Sequence, residues 1–226
     1  MTSDLLFDKI VEHYNTAQNV VTEYRHLQIF RDRQHSISSI LEDLFAYYLQ
    51  KYLSEKFPDL HLVFMVDYGI KVGKEQKMIP DIAIIIDGKN PILAAYLDIK
   101  TDLGYKRNYF INFENIKQKV NKLQSANFYG LVGSATKNIQ ISSSLKWRTI
   151  VISDRNISAA LLSSNKTQAA KLPDVFSLYF LSGESHPNSK QREFIKIYKE
   201  EFKTLLSDLE EDIRLSLVIP TLDSVL

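Results

Sequence analysis

The stretch Pro80-Asp81-Ile82-Ala83-Ile84-Ile85-Ile86-Asp87-Gly88-Lys89-Asn90 narrows the possible folds of this chain more than any other. Side chains of an extended chain alternate between two faces, so five consecutive apolar residues make a strand that is apolar on both. Such a strand requires cover on both sides and belongs in the middle of a sheet. Asp87-Gly88-Lys89-Asn90 is turn chemistry, and an apolar segment, Ile92 to Lys100, follows it. The two segments are expected to pair as an antiparallel hairpin.

Around this hairpin the pattern alternates. Ser3 to Asn15 is amphipathic and predicts a helix. A clearer helix is expected from Ser36 to Lys56, where Ile37, Ile40, Leu41, Leu44, Phe45, Tyr48 and Leu49 recur at helical spacing. Ser36 is its expected cap, and Pro58 follows its end. His61 to Val72 reads as a strand, Phe113 to Ser125 as a helix, Thr149 to Ser153 as a short buried strand and Asn156 to Ser163 as a helix. Val175 to Leu181 reads as a strand, and a long helix is expected from Ser189 to Ser216. The predicted fold class is α/β, a mixed central β-sheet flanked by helices.

Composition adds exclusions. Hydrophobic residues make up 45% of the 226 residues and charged ones 24%, which argues against a disordered chain. One domain spanning 1–226 is the expectation at this length. With no Cys, the chain has no disulfide, thiolate-bound zinc, iron–sulfur cluster or thiol nucleophile. No apolar run approaches the length of a bilayer span, so no membrane association is expected. Met1-Thr2-Ser3-Asp4 lacks a basic stretch followed by an apolar core, so no signal peptide is expected and the location is read as cytoplasmic.

Strand parity gives the hairpin chemical meaning. Asp98 and Lys100 are two apart and project from one face, while Leu93, Ala95, Leu97 and Ile99 are expected on the other. Asp81 opens the partner strand, and antiparallel pairing sets the start of one strand opposite the end of the other. Asp81 and Asp98 should therefore meet, with Lys100 beside them, on rigid strands at the sheet's edge. That donor set suits a hard divalent cation. On the preceding helix, spacing residues at 100° intervals puts Asp43 in solvent and Glu42 at the border of the apolar stripe, within reach of the same edge.

Pro80-Asp81 followed sixteen residues later by Asp98-Ile99-Lys100 resembles the PD-(D/E)XK nuclease signature, and the helix Ile37-Ser38-Ser39-Ile40-Leu41-Glu42-Asp43-Leu44 resembles the acid-bearing helix before the core sheet of that superfamily. The extension Lys100-Thr101-Asp102-Leu103-Gly104-Tyr105-Lys106-Arg107 is similar to type II restriction endonucleases. The resemblance covers residues 31 to 125. It implies a restriction-endonuclease-like fold. Within the single domain, the catalytic core is expected at about 31–155, with the strand and long helix of 175–216 packed on it. The resemblance further implies hydrolysis of DNA phosphodiester bonds with one or two Mg²⁺ per site, Mn²⁺ substituting. Asp81 and Asp98 would be ligands, with the backbone carbonyl of Ile99 as a further ligand and Glu42 as an auxiliary one. Lys100 would orient or help deprotonate the attacking water and offset transition-state charge. Double-stranded DNA as substrate, a homodimer cutting both strands, a prokaryotic cytoplasm and a companion DNA methyltransferase encoded as a separate protein are also implied.

Charge placement agrees with a polyanionic substrate. The net formal charge is only +1, but Lys100 to Lys122 holds six basic residues and two acids, interleaved with Tyr105, Tyr109, Phe110 and Phe113. Arg31, Arg33, His35, Thr101, Tyr105, Lys106, Arg107 and Lys117 are the expected DNA contacts. Glu200 to Leu226 holds seven acids and two basic residues and should face away from DNA. Competing readings are a repair or recombination nuclease of the same fold, and a catalytically inactive nucleic-acid-binding domain. By itself the Asp98–Lys100 pair also reads as a solvent-facing ion pair of little energetic weight. No Gly-x-Ser-x-Gly elbow and no Gly-rich phosphate loop occurs, which disfavours serine hydrolysis and nucleotide-driven chemistry. His186 in Gly183-Glu184-Ser185-His186-Pro187 reads as a structural turn residue, and Trp147, Phe194, Tyr198 and Phe202 read as core.

Overall fold

The computed structural model describes residues 2–23, 37–72, 76–103, 113–124, 128–132, 135–189 and 192–218. Its elements are α1 (Ser3–Glu23), α2 (Ser38–Lys56), β1 (Leu62–Val66), β2 (Ile70–Val72), β3 (Gln76–Met78), β4 (Ile82–Ile86), β5 (Ile92–Lys100), α3 (Phe113–Gln124), β6 (Phe128–Val132), β7 (Ala135–Ile141), β8 (Trp147–Val151), α4 (Ala159–Ala169), β9 (Phe176–Phe180), β10 (Ser182–Gly183), β11 (Lys196–Ile197) and α5 (Lys199–Leu217). Among the described residues no helix is long and apolar enough to cross a membrane.

The trunk of the sheet runs β1–β4–β5–β8–β9. Its first two junctions are antiparallel and its last two parallel. The start of β5 pairs in parallel with β7, which leads a branch through β6 and β2 to β3. The protein is thus mixed α/β, with a mixed sheet between helices. β4 is buried along its whole length, as its two apolar faces require. On one face Ile82, Ile84, Leu97, Ile99 and Ile150 pack against Leu6, Phe7 and Ile10 of α1, Leu41, Phe45 and Leu49 of α2, and Phe202, Leu205 and Leu209 of α5. On the other, Ala83, Ile85, Tyr96 and Trp147 pack against Ile116, Val120 and Leu123 of α3.

Several expected boundaries move, each for a local reason. His61 to Val72 is two strands, broken at Asp67, whose φ of 48° turns the chain and whose N–H donates to the Asp81 carbonyl at 3.0 Å. The helix α2 is capped by Ile37 without any side-chain bond; Ile37 is buried in the core and anchors the entry, while Ser36 lies outside the described residues. The helix expected at Asn156 to Ser163 starts later and runs to Ala169, because the Ser158 side chain accepts from the Leu161 N–H at 3.3 Å and begins it there. The final helix starts at Lys199 rather than Ser189, since a short β10–β11 pairing and two 3₁₀ turns intervene. Phe194 sits in one of those turns and is exposed, not core. β8 starts at Trp147, and a hairpin of β6 and β7 precedes it; the Thr, Lys, Asn and Gln of β7 hide its strand character, while β6 is short and has a glycine at its centre.

One correction concerns strand parity. The β4–β5 register runs Ile84 to Ala95 and then Ile85 to Leu93, so Ala94 is an extra residue in β5. Leu93 therefore packs with Ile85 and Tyr96 on the opposite face from Ala95, Leu97 and Ile99. The shift lies before Ala95, so Asp98 and Lys100 remain together.

Candidate active site

Ile82 pairs with Leu97, so Asp81 and Asp98 lie opposite one another, one step beyond the paired register. Both share the sheet face of Ala83 and Tyr96, as does Lys100. The Lys100 ammonium lies 2.6 Å from Asp98 Oδ1, 3.4 Å from Asp81 Oδ2 and 3.2 Å from the Ile99 carbonyl. Three oxygens from two strands thus converge on a single cationic nitrogen. Asp81 Oδ2 also accepts from the Ile99 N–H at 2.5 Å, which locks the carboxylate to β5. Asp98 Oδ2 accepts from the Thr149 hydroxyl on β8 at 3.5 Å. The pair is partly shielded from solvent: the Asp81 and Asp98 side chains are 20% and 24% exposed and Lys100 is 37% exposed.

These groups lie in a cleft of about 460 Å³ that Glu42, Thr101, Asp102, Asn115, Lys119, Trp147 and Thr149 also line. Glu42 is half-buried at its wall, whereas Asp43 is exposed, so the two adjacent acids separate as the helical wheel requires. Among the described residues no three His, Cys, Asp or Glu side chains lie close enough together to hold a metal by themselves. The charge of Asp81 is felt at Glu42, but Glu42 makes no compact triad with Asp81 and Asp98. Two carboxylates and a backbone carbonyl around one cation fit Mg²⁺, which retains waters and takes one or two carboxylates plus substrate phosphate. The residues that would hold it are Asp81, Asp98 and, through its carbonyl, Ile99.

Burial and the crowding of like charges set the electrostatics. Burial, then the charges of Asp81 and Asp67, push the Glu42 carboxyl above its ordinary range, and Lys100 opposes them. Asp81 is pushed up by burial and by Asp98, against the pull of Lys100 and the Ile99 N–H. Burial alone would lower the Lys100 ammonium, but Asp98 and Asp81 outweigh it and keep Lys100 protonated well into the alkaline range. Because folded Glu42 holds its proton to higher pH than an unfolded glutamate does, the folded state binds the extra proton and stability falls as pH rises through that interval. Glu42→Gln is therefore expected to raise the melting temperature at pH 7 and to leave it unchanged at pH 4. Thermal unfolding at the two pH values checks this; a variant that melts lower than wild type at pH 7 contradicts it.

Of the expected DNA contacts, Thr101 lines the cleft. Lys117 is exposed and does not line it. Arg31, Arg33, His35, Tyr105, Lys106 and Arg107 lie outside the described residues. The basic residue that α3 turns into the cleft is Lys119, not Lys117. It sits three residues after Ile116 and four before Leu123, both buried, so a cation on the apolar stripe is the signal that identifies it. Thr149 was legible only once its strand was paired with Asp98. Trp147 is buried as expected but also forms part of the cleft wall. His186 lies 3.1 Å from Asp102 and accepts from the Asn188 N–H at its Nδ1, which ties the turn to the segment following Lys100.

Comparison with protein-family models, with curated proteins and with solved structures finds no match to this chain.

Proposed function

We propose that this protein is a Mg²⁺-dependent DNA endonuclease of the PD-(D/E)XK type, with a restriction-endonuclease-like core, acting on double-stranded DNA in the manner of a type II restriction enzyme. The observation that carries the reading is the convergence of Asp81 Oδ2, Asp98 Oδ1 and the Ile99 carbonyl on one cationic nitrogen, all within 3.4 Å, on register-opposed strand ends lining a cleft. A bound Mg²⁺ supplies Lewis acidity towards the scissile phosphate and a bound water of lowered pKa, and Mn²⁺ substitutes for it.

The residues divide the remaining work. Asp81 and Asp98 hold the cation, and the Ile99 N–H fixes the orientation of the first. Lys100, kept protonated by its two acid neighbours, orients the water and offsets negative charge as it builds on the phosphate. Glu42, at the wall, serves as an auxiliary ligand through water or as a proton acceptor; its raised affinity for protons suits the second role. Two such sites in a homodimer related by a two-fold axis cut both strands of a palindromic target. A restriction role pairs the protein with a separate DNA methyltransferase that protects the host sequence, in a prokaryotic cytoplasm.

The test combines cleavage with calorimetry. Supercoiled plasmid is expected to be cut into discrete fragments with Mg²⁺ and left intact with EDTA. Titration with Mg²⁺ or Mn²⁺ is expected to show binding that Asp81→Asn or Asp98→Asn weakens. A smear in place of discrete fragments replaces the restriction role with structure-directed processing. Absence of both cleavage and carboxylate-dependent cation binding overturns the nuclease reading in favour of a binding module.

A further inference from the structure

The cleft extends beyond the acidic centre. Trp147 pairs in register with Tyr96, as Thr149 does with Asp98, so the indole lies one pleat, about 7 Å, along the strands from the Asp98–Thr149 row. Trp147 is 7% exposed, and its Nε1–H has no hydrogen-bond partner among the described residues. A buried donor without an acceptor costs free energy, and native proteins leave few of them. The Lys119 ammonium lies over the same ring, 5.2 Å from its centroid, and also lines the cleft. Lys119 and Trp147 thus both line the cleft, one a cation and the other a residue with an orphan buried N–H, a combination that suits an anionic oxygen acceptor. The Tyr96 ring, tilted 35° to the indole with centroids 4.3 Å apart, holds the indole in place.

We infer that Lys119 and Trp147 form a phosphate subsite, which takes a backbone phosphate of the DNA strand beside the acidic centre; this rests on the nuclease reading above for the identity of the polyanion. The Nε1–H is closed to solvent, so a phosphate meets the Lys119 ammonium first and reaches the indole N–H through a shift of the side chains around the ring. The arrangement solves an electrostatic problem of the cleft. Glu42, Asp81, Asp98 and Asp102 all line it and repel a polyanion, and Lys100 is already engaged by two of them. Lys119 provides an attraction that does not compete with the acidic centre.

Trp147 is the sole tryptophan of the chain, so its emission reports this subsite without labelling. The measurement uses the Asp98→Asn protein, which is expected to bind without cutting, and a short fluorescein-labelled duplex. The duplex is expected to change the Trp147 emission. Adding Lys119→Gln is expected to raise Kd about tenfold and to lower the slope of log K against log salt by about one, the signature of one lost phosphate contact. Trp147→Phe, read by anisotropy, is expected to weaken binding severalfold with the salt slope unchanged. If Lys119→Gln binds with the parent's Kd and slope and saturating duplex leaves the emission unmoved, or if the duplex does not bind, the subsite is overturned. Should wild type fail to cut plasmid while these shifts appear, the nuclease reading fails and the phosphate subsite stands.

Discussion

Alanine at position 98 or at position 100 is expected to lower Mg²⁺-dependent plasmid cleavage by about two to three orders of magnitude, with little change in melting temperature. The size follows from removing one preorganised charge from a partly desolvated site where negative charge develops. Little stability is lost because the pair is partly open to solvent, with Lys100 37% exposed, and such pairs contribute modestly to folding. The two variants differ in what they leave behind. Asp98→Ala leaves Lys100 on Asp81 and the Ile99 carbonyl, so cation binding weakens. Lys100→Ala leaves three oxygens facing one another, so cation binding is retained or strengthened while cleavage is lost. The double variant is expected to cut no more slowly than the worse single one, as groups acting as a unit are strongly non-additive. Plasmid cleavage, calorimetry and thermal unfolding on the same preparations separate these effects. Wild-type cleavage rates in both single variants would remove the assignment.

The largest stability effect is expected on the opposite face of β8. Arg148 is 2% exposed, and its guanidinium forms a two-pronged bridge to Asp212 of α5, at 2.6 and 2.7 Å. It also donates to the Tyr179 hydroxyl, to Ser177 at 3.2 Å and to Asp208 at 3.2 Å. Burial raises the Asp212 carboxyl, and Arg148 opposes it. Arg148→Met leaves Asp212 buried without its counter-charge and is expected to cost about 3–5 kcal/mol. That corresponds to a melting temperature lower by roughly 10 °C for a chain of this size. Arg148→Met combined with Asp212→Leu is expected to recover most of the loss, because replacing both members of a buried pair by apolar groups is far cheaper than removing one. Urea or thermal unfolding decides the matter; a single variant melting within a degree or two of wild type would show the bridge to be dispensable. The acidic C-terminal helix thus spends part of its charge inside the protein, and Trp147 and Thr149, the alternate residues of the same strand, form part of the cleft wall.

Legibility followed the range of the interactions concerned. The β4–β5 hairpin and its antiparallel order were readable from local pattern, because a run apolar on both faces, the Asp87-Gly88-Lys89-Asn90 turn and a second apolar run determine pairing within twenty-one residues. The opposition of Asp81 and Asp98 followed from that pairing, and the separation of Glu42 from Asp43 from helical spacing alone. Less was readable where polar residues form a strand, as in β7, or where a turn depends on one residue with positive φ, as at Asp67. The extra residue at Ala94 was invisible because a bulge depends on the partner strand's register, not on its own sequence.

The chain's own pattern determined which two strands meet and which carboxylates they bring face to face, since alternation and turn chemistry act between near neighbours. Tertiary structure alone decided what surrounds them. Trp147 and Thr149 come from a strand some fifty residues beyond Asp98, set beside it by a parallel crossover, and Lys119 comes from a helix laid over the opposite sheet face from α2. Parallel pairing and helix packing are satisfied by apolar area, which many registers can bury, so the partner of Asp98 and the cation over the indole emerge only when the whole core closes.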